Sequence, residues 1–186
     1  MKSRKKRNNK ISEFIQVIFI FLFVFVIIYL FLGQLCEVSG NSMLPNFKNK
    51  EQLIAESLSV KLKGLERGDV VVFESPLEND KLLIKRVIGL PGESFKISGG
   101  KIYINDKVLN EDSYINSNEY TDVEKYFEND VEYSIPTDSY VVLGDNRDES
   151  TDSREWGYIN TNSVIGKVIV KIYPLKSIGI VKKVKY

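Results

Sequence analysis

Hydrophobic and polar positions follow two regimes along the chain. From Phe14 to Leu35 the sequence reads FIQVIFIFLFVFVIIYLFLGQL, 22 positions without a charge and with only two glutamines. At 1.5 Å per residue a helix of that length reaches about 30 Å, the thickness of a bilayer core. The predicted element is a single transmembrane helix over 13–35. A cleavable leader has a shorter apolar core followed by a small-x-small site, and a buried core helix keeps a polar stripe; neither pattern is present. After residue 36 the runs become short and β-branched. Strands are predicted at 52–56, 69–73, 81–89 and 94–98, then at 101–104 and 108–109 flanking a hairpin turn at Asn105-Asp106-Lys107, and at 140–143 and 164–170. The stretch 110–130 is acidic and polar and reads as a surface excursion with at most a short helix. Short strands, regular turns and little helical periodicity predict a mostly β fold: a compact antiparallel β-rich domain preceded by the one helix.

Charge orients this plan. Lys2, Arg4, Lys5, Lys6, Arg7 and Lys10 stand before the apolar run, with no acid among the first ten residues. The positive-inside rule therefore places 1–12 as a cytoplasmic tail and 36–186 outside the membrane. The outer segment carries a small excess of acids and no basic cluster, which argues against a nucleic-acid partner. Cys36, the only cysteine, falls at the membrane boundary and can form no disulfide within the chain.

The chain has no histidine. Ser-His-Asp and Cys-His nucleophile arrangements are excluded, as is a His-ligated zinc site. A serine nucleophile then needs another base, for which a lysine held neutral is the histidine-free solution. Gly40-Asn41-Ser42-Met43-Leu44-Pro45 offers a serine in a tight turn, with Gly40 permitting backbone angles that a side chain forbids and Pro45 disfavouring helix at Leu44. Among the lysines, Lys85 lies in the apolar strand Leu82–Ile88. Alternation puts it on the face of Leu83 and Val87, so burial, with Arg86 as a neighbouring like charge, is expected to lower its pKa. A third segment, Gly144-Asp145-Asn146-Arg147 through Asp152-Ser153-Arg154 to Trp156-Gly157, reads as a polar loop made rigid by ion pairs.

Taken together, these segments resemble the type I signal peptidases, membrane-bound serine proteases that remove signal peptides from exported preproteins. The resemblance is carried by Gly40–Pro45, Arg67–Phe73, Lys85–Glu93 and Gly144–Gly157, in the family's order and behind an anchor in its expected place. It implies a Ser42/Lys85 dyad, with Ser150 hydrogen-bonded to the lysine amine. Asp145, Arg147, Asp152 and Arg154 are implied as the loop's scaffold, and Arg86 as an ion-pair partner for one of its aspartates. One departure stands out. Where some members carry an oxyanion-hole serine two positions before the nucleophile, this chain has Gly40. That leaves the Ser42 N–H as one donor and the second open, a Gly40 backbone group being one candidate. Only a small surface insertion, 99–138, is expected.

The implied reaction is cleavage after small-x-small sites, Ala-x-Ala-like, through an acyl-enzyme and without metal or organic cofactor. The implied partners are exported preproteins, the lipid bilayer and, as a neighbour, the secretion translocon. Val38, Met43, Leu83 and Ile84 are the candidate pocket walls beside an extended substrate. Two other readings stay open. Self-cleaving Ser-Lys repressors share the dyad, but they are soluble and act on their own linker, against which the anchor argues. A catalytically silent, membrane-anchored module assisting surface-protein assembly is kept open by the missing hydroxyl at position 40.

Overall fold

The structure is a computed structural model that describes residues 2–31, 33–115, 119–184 and 186. The chain divides into two compact units, Met1–Gly33 and Gln34–Tyr186. The first unit is one helix, α1 (Lys2–Phe31), whose side chains are described at Lys10 and from Ser12 to Phe25. Among the described residues no helix is long and apolar enough to cross a membrane. Part of the expected 13–35 span, namely residue 32 and the side chains from 26 to 31, lies outside the described residues.

The second unit begins with a correction to that span: Gln34 and Leu35 belong to a strand, β1 (Gln34–Glu37), and not to a helix. Pairing with β2 (Gln52–Glu56) supplies the partner that local hydropathy could not reveal. There follow α2 (Leu58–Lys63), β3 (Val70–Glu74), β4 (Leu82–Gly89), β5 (Ser94–Ser98), β6 (Lys101–Ile104), β7 (Lys107–Val108) and β8 (Tyr133–Ser134). The chain continues through β9 (Ser139–Leu143), α3 (Ser153–Trp156), β10 (Ile159–Asn160), β11 (Val164–Tyr173) and β12 (Gly179–Ile180).

Among the described residues all pairings are antiparallel, as the strand pattern predicts. One sheet runs β1-β2-β11-β3-β4-β9-β10, with β12 also paired to β11; the other runs β7-β6-β5-β8. β3 lies between β11 and β4, so both of its edges are paired, and its two faces are covered by separate cores, Val70 and Val72 in one and Val71 and Phe73 in another. Its unbroken run Val70–Phe73 is buried at every position, the signature of a central strand. At the β6–β7 hairpin Asn105 and Asp106 both have positive φ, a two-residue turn whose twist matches the flanking strands. Lys107, expected in the turn, instead opens β7.

The described residues of 110–130 form turns and no helix, but they do more than cover surface. Tyr114 and Phe127 are buried in one core with Phe95, Ile97 and Ile102, and the Phe127 ring packs 4.8 Å from that of Phe95. A second core joins Val38, Met43, Phe47, Leu53 and Val72. A third joins Val71, Phe73, Val87 and Val142. β4 touches all three, which makes it the strand through which the site below is positioned.

Candidate active site

Lys85 lies mid-strand on β4, opposite Val71 of β3. Leu83 and Val87 pack into the third core and Ile84 into the second, the two-face division that alternation requires. The lysine is only 3% exposed. Ser42 opens a turn over residues 42–46, two residues after Gly40 at φ +96°. A Cβ at Gly40 would meet nothing within 4 Å, so conformation and not space calls for glycine there. The turn carries Ser42 to β4, where Lys85 Nζ donates to Ser42 Oγ at 2.6 Å.

Burial pushes the Lys85 amine down to about 8, because an ammonium there loses its hydration; Asp152 and Asp145 oppose the shift, and Arg154 and Lys81 add to it. The like charges that lower it are thus Arg154 and Lys81. Arg86, expected in that role, is tied up elsewhere. Its Nε and Nη2 donate to the two oxygens of Asp145 at 2.7 and 2.5 Å, and its Nη1 donates to Gly68 O at 2.9 Å.

The loop from Gly144 to Gly157 holds both partners in place. Asn146 N–H donates to Ser42 O at 3.0 Å, and Asn146 Nδ2 to Asn41 O at 3.3 Å. Arg154 Nε and Nη2 close on the two oxygens of Asp152 at 2.8 and 3.0 Å, and Nη2 also reaches Arg147 O at 2.7 Å and Ser150 O at 3.1 Å. Asp152 in turn accepts from Gly144 N–H at 3.0 Å. Arg147 donates to Gly144 O at 2.9 Å, to Thr121 Oγ1 at 2.5 Å and to Glu111 Oε1 at 2.6 Å. Three buried guanidinium groups therefore each meet carboxylate and carbonyl oxygens, which is what keeps such charges tolerable away from water.

Two expectations meet a different geometry. Ser150 Oγ is buried without a hydrogen-bond partner among the described residues, so the implied bond to the lysine amine is not formed. Ser150 Oγ instead takes up space that a side chain at 144 would fill: a Cβ there would fall 2.2 Å from Ser150 Oγ and 2.5 Å from Ser42 O. Gly40 N–H is already spent on Asn49 Oδ1 at 3.1 Å, which removes it as an oxyanion donor. Asn49, Asn46, Glu111, Thr121 and Asn146 are contributors that local pattern did not single out. Only Asn146 lay inside a segment already flagged, beside Asp145.

A cavity of about 410 Å³ opens over the pair, lined by Val38, Ser39, Ser42, Leu53, Val72, Lys81 and Leu82 to Lys85 together with β1. Val38, Leu83 and Ile84 are on its wall. Met43 is not: it is fully buried beside Phe47 and Leu53, because the turn directs it into the second core. A second cavity, of about 460 Å³ between Asn46, Tyr114, Lys171 and residues 179–184, contains neither Ser42 nor Lys85. The thiol of Cys36, half-buried on β1, is pushed up by burial, the opposite of an activated cysteine.

Residues 11–173 match the family described as Signal peptidase, peptidase S26. A signal peptidase I of Leptolyngbya laminosa is 33% identical over 95% of this chain and 87% of its own length. A signal peptidase IB of Staphylococcus aureus is 34% identical over 74% of this chain and 76% of its own. A solved signal peptidase I from Enterococcus faecalis V583 aligns with a TM-score of 0.47 at 34% identity, covering 56% of this chain and 97% of that one.

Proposed function

The chain belongs to the signal peptidases of the peptidase S26 family, and we propose that Ser42 is its nucleophile and Lys85 the base that activates it. The observation that carries this reading is the 2.6 Å approach of Lys85 Nζ to Ser42 Oγ on the wall of a cavity. An amine with its pKa near 8 is neutral in a useful fraction of molecules near pH 7 to 8, whereas a solvated lysine titrates near 10.4. In the neutral form Lys85 takes the hydroxyl proton as Ser42 Oγ attacks the scissile carbonyl carbon. The protonated amine then passes that proton to the leaving nitrogen. An acyl ester on Ser42 remains, and Lys85 deprotonates the water that hydrolyses it. The Ser42 N–H makes no hydrogen bond among the described residues and is the oxyanion donor in this scheme.

The substrate is the cleavage region of an exported preprotein, laid as an extended strand along Val38–Ser39 and Leu82–Ile84. The pocket walls Val38, Leu83 and Ile84 favour small side chains at the first and third positions before the cut. Asp145, Arg147, Asp152 and Arg154, with Arg86, keep the loop rigid. Ser150, buried beside Gly144 with its hydroxyl unpartnered among the described residues, is the residue assigned to orient the lysine amine.

Residues 13 to about 33 are the membrane anchor, 1–12 the cytoplasmic tail, and the β-rich unit lies on the outer side, with 99–138 as its insertion. The basic cluster Lys2–Lys10 supports the orientation, and two observations support the anchor. The apolar run contains no charge. The described large apolar side chains from Phe14 to Phe25 are all exposed, an arrangement suited to lipid and costly in water. The lipid bilayer is then a standing partner, and the secretion translocon the neighbour that delivers substrate.

The test is incubation of the detergent-solubilised full chain with a preprotein bearing an Ala-x-Ala site. Cleavage after the second Ala is expected from the wild type, and none from Ser42→Ala. Cleavage that persists in Ser42→Ala would reject the assignment.

A further inference from the structure

We propose that Asn46 is a positioning residue for this reaction, the link that holds the turn carrying Ser42 in register with the strand carrying Lys85. The proposal rests on the dyad reading and adds to it a residue that is neither nucleophile nor base.

Asn46 ends the turn that Ser42 begins, and it is gripped from three directions. Its Nδ2 donates to Asp145 Oδ2 at 2.9 Å and to Tyr114 O at 2.6 Å. Its carbonyl accepts from Lys171 Nζ of β11, which also faces Glu51 Oε2 at 3.2 Å and lies 4.3 Å from the centre of the Phe47 ring. Asp145 passes the constraint on, because the same carboxylate takes Arg86 Nε and Nη2, and Arg86 is the residue next to Lys85 on β4. Ser42, Asn46, Asp145, Arg86 and Lys85 thus form a closed ring whose last edge is the 2.6 Å contact of the dyad. Remove the Asn46 side chain and the two Nδ2 bonds go; that edge is then left to the Lys171 bond to the residue 46 carbonyl, to the Asn146 N–H bond to Ser42 O and to core packing of Met43 and Phe47. In-line geometry is sensitive to such slack, a displacement of about 1 Å being enough to cost roughly 100-fold in rate.

The link also has an electrostatic arm. The charges that face Lys85 are Asp145, Asp152 and Arg154 from the loop and Lys81 from the turn before β4. Asn46 satisfies part of the Asp145 carboxylate. Without that donor the carboxylate acts more strongly on the lysine, the ammonium form is favoured, and the midpoint for losing its proton rises.

The experiment measures kcat and KM against pH for the full chain in detergent, with a preprotein substrate, in wild type, Asn46→Ala and Asn46→Ser, each with and without Asp145→Asn. Thermal melting of every variant is followed in parallel. For Asn46→Ala the expected result is a kcat lowered about tenfold, KM within about twofold, and a midpoint raised by about half a pH unit. Asn46→Ser removes less volume and gives a smaller effect of the same sign, which keeps the test available if Asn46→Ala folds poorly. In the Asp145→Asn background the carboxylate is gone, so replacing Asn46 leaves the midpoint where it was. A wild-type kcat with an unmoved midpoint in both Asn46 variants overturns the proposal, as does a loss of kcat that tracks melting temperature with no change of midpoint. A wild-type profile with no rise near pH 8 overturns the dyad and this proposal together, whereas a normal wild-type rise left unmoved in the variants overturns this proposal alone.

Discussion

Lys85→Met removes cleavage, lowering turnover by about 10³-fold, and leaves the protein at least as stable as the wild type at neutral pH. The activity loss follows because no histidine exists to substitute for the amine, and a positioned general base contributes roughly 10² to 10⁴ in rate. The stability result has the opposite sign to most buried substitutions. Methionine fills a similar volume and carries no charge, so it avoids the cost of keeping an ammonium out of water. The sign can be worked through the two protonation states. The folded pKa of Lys85 is near 8 and the unfolded value near 10.4, so between these the unfolded chain binds more protons and stability rises with pH. The wild type therefore gains about 3 kcal/mol across that window, and the advantage of the Met variant is largest below pH 8 and fades above it. Cleavage assays paired with melting curves at pH 7 and pH 10 check both halves. A Met variant that cleaves, or that loses stability at pH 7 relative to wild type, contradicts the expectation.

Gly144→Ala should lower kcat by about 100-fold with both dyad residues intact. The added Cβ would fall 2.5 Å from the backbone oxygen of Ser42 and 2.2 Å from Ser150 Oγ. Ser150 could turn aside, but the Ser42 carbonyl is fixed by the Asn146 N–H, so the turn itself has to move. Gly144 also supplies the N–H that Asp152 accepts and the carbonyl that Arg147 binds; the same displacement therefore reaches two buried ion pairs. Its backbone is not in the left-handed region, which makes the effect steric and not conformational. Steady-state kinetics beside a melting curve separate the outcomes: the expected variant melts a few degrees lower and loses kcat far more than KM changes. Wild-type kcat in Gly144→Ala would mean that the nucleophile turn tolerates a shift the dyad geometry here does not allow.

The interior of the β unit was legible from the sequence where burial repeats with a period. Val70–Phe73, Leu82–Gly89 and Ser94–Ser98 announce their strands through β-branched runs or alternation, and the neighbours of Lys85 on β4 made its dry setting readable. Strands that depend on a distant partner were not visible. β1 is concealed in the end of the apolar run because Gln34 and Leu35 become strand only through pairing with Ala55 and Ile54. β8, β10 and β12 are two residues long, too short to carry a period.

Within the site the dividing line is sequence distance. Arg86, Asp145, Arg147, Asp152 and Arg154 stood out as charges in apolar or glycine-bounded settings. Asn46 is 99 residues from Asp145, and Glu111 is 36 from Arg147; no local spacing links them. Met43 is an apolar candidate for the pocket wall by sequence, yet a turn sends neighbouring side chains in different directions, and the second core holds it. The Gly40 N–H could not be assigned from sequence either, because its acceptor is the side chain of Asn49 nine residues later.

The dependence of kcat/KM on pH, measured on a preprotein substrate with the detergent-solubilised chain, addresses the neutral lysine most directly. Since kcat/KM reports ionisations of the free enzyme, it should climb from pH 6, pass its midpoint near 8 where the Lys85 amine gives up its proton, and level off above pH 9. A profile that is flat across that range, or that rises only near the ordinary lysine value of about 10.4, would contradict a buried amine acting as the base for Ser42.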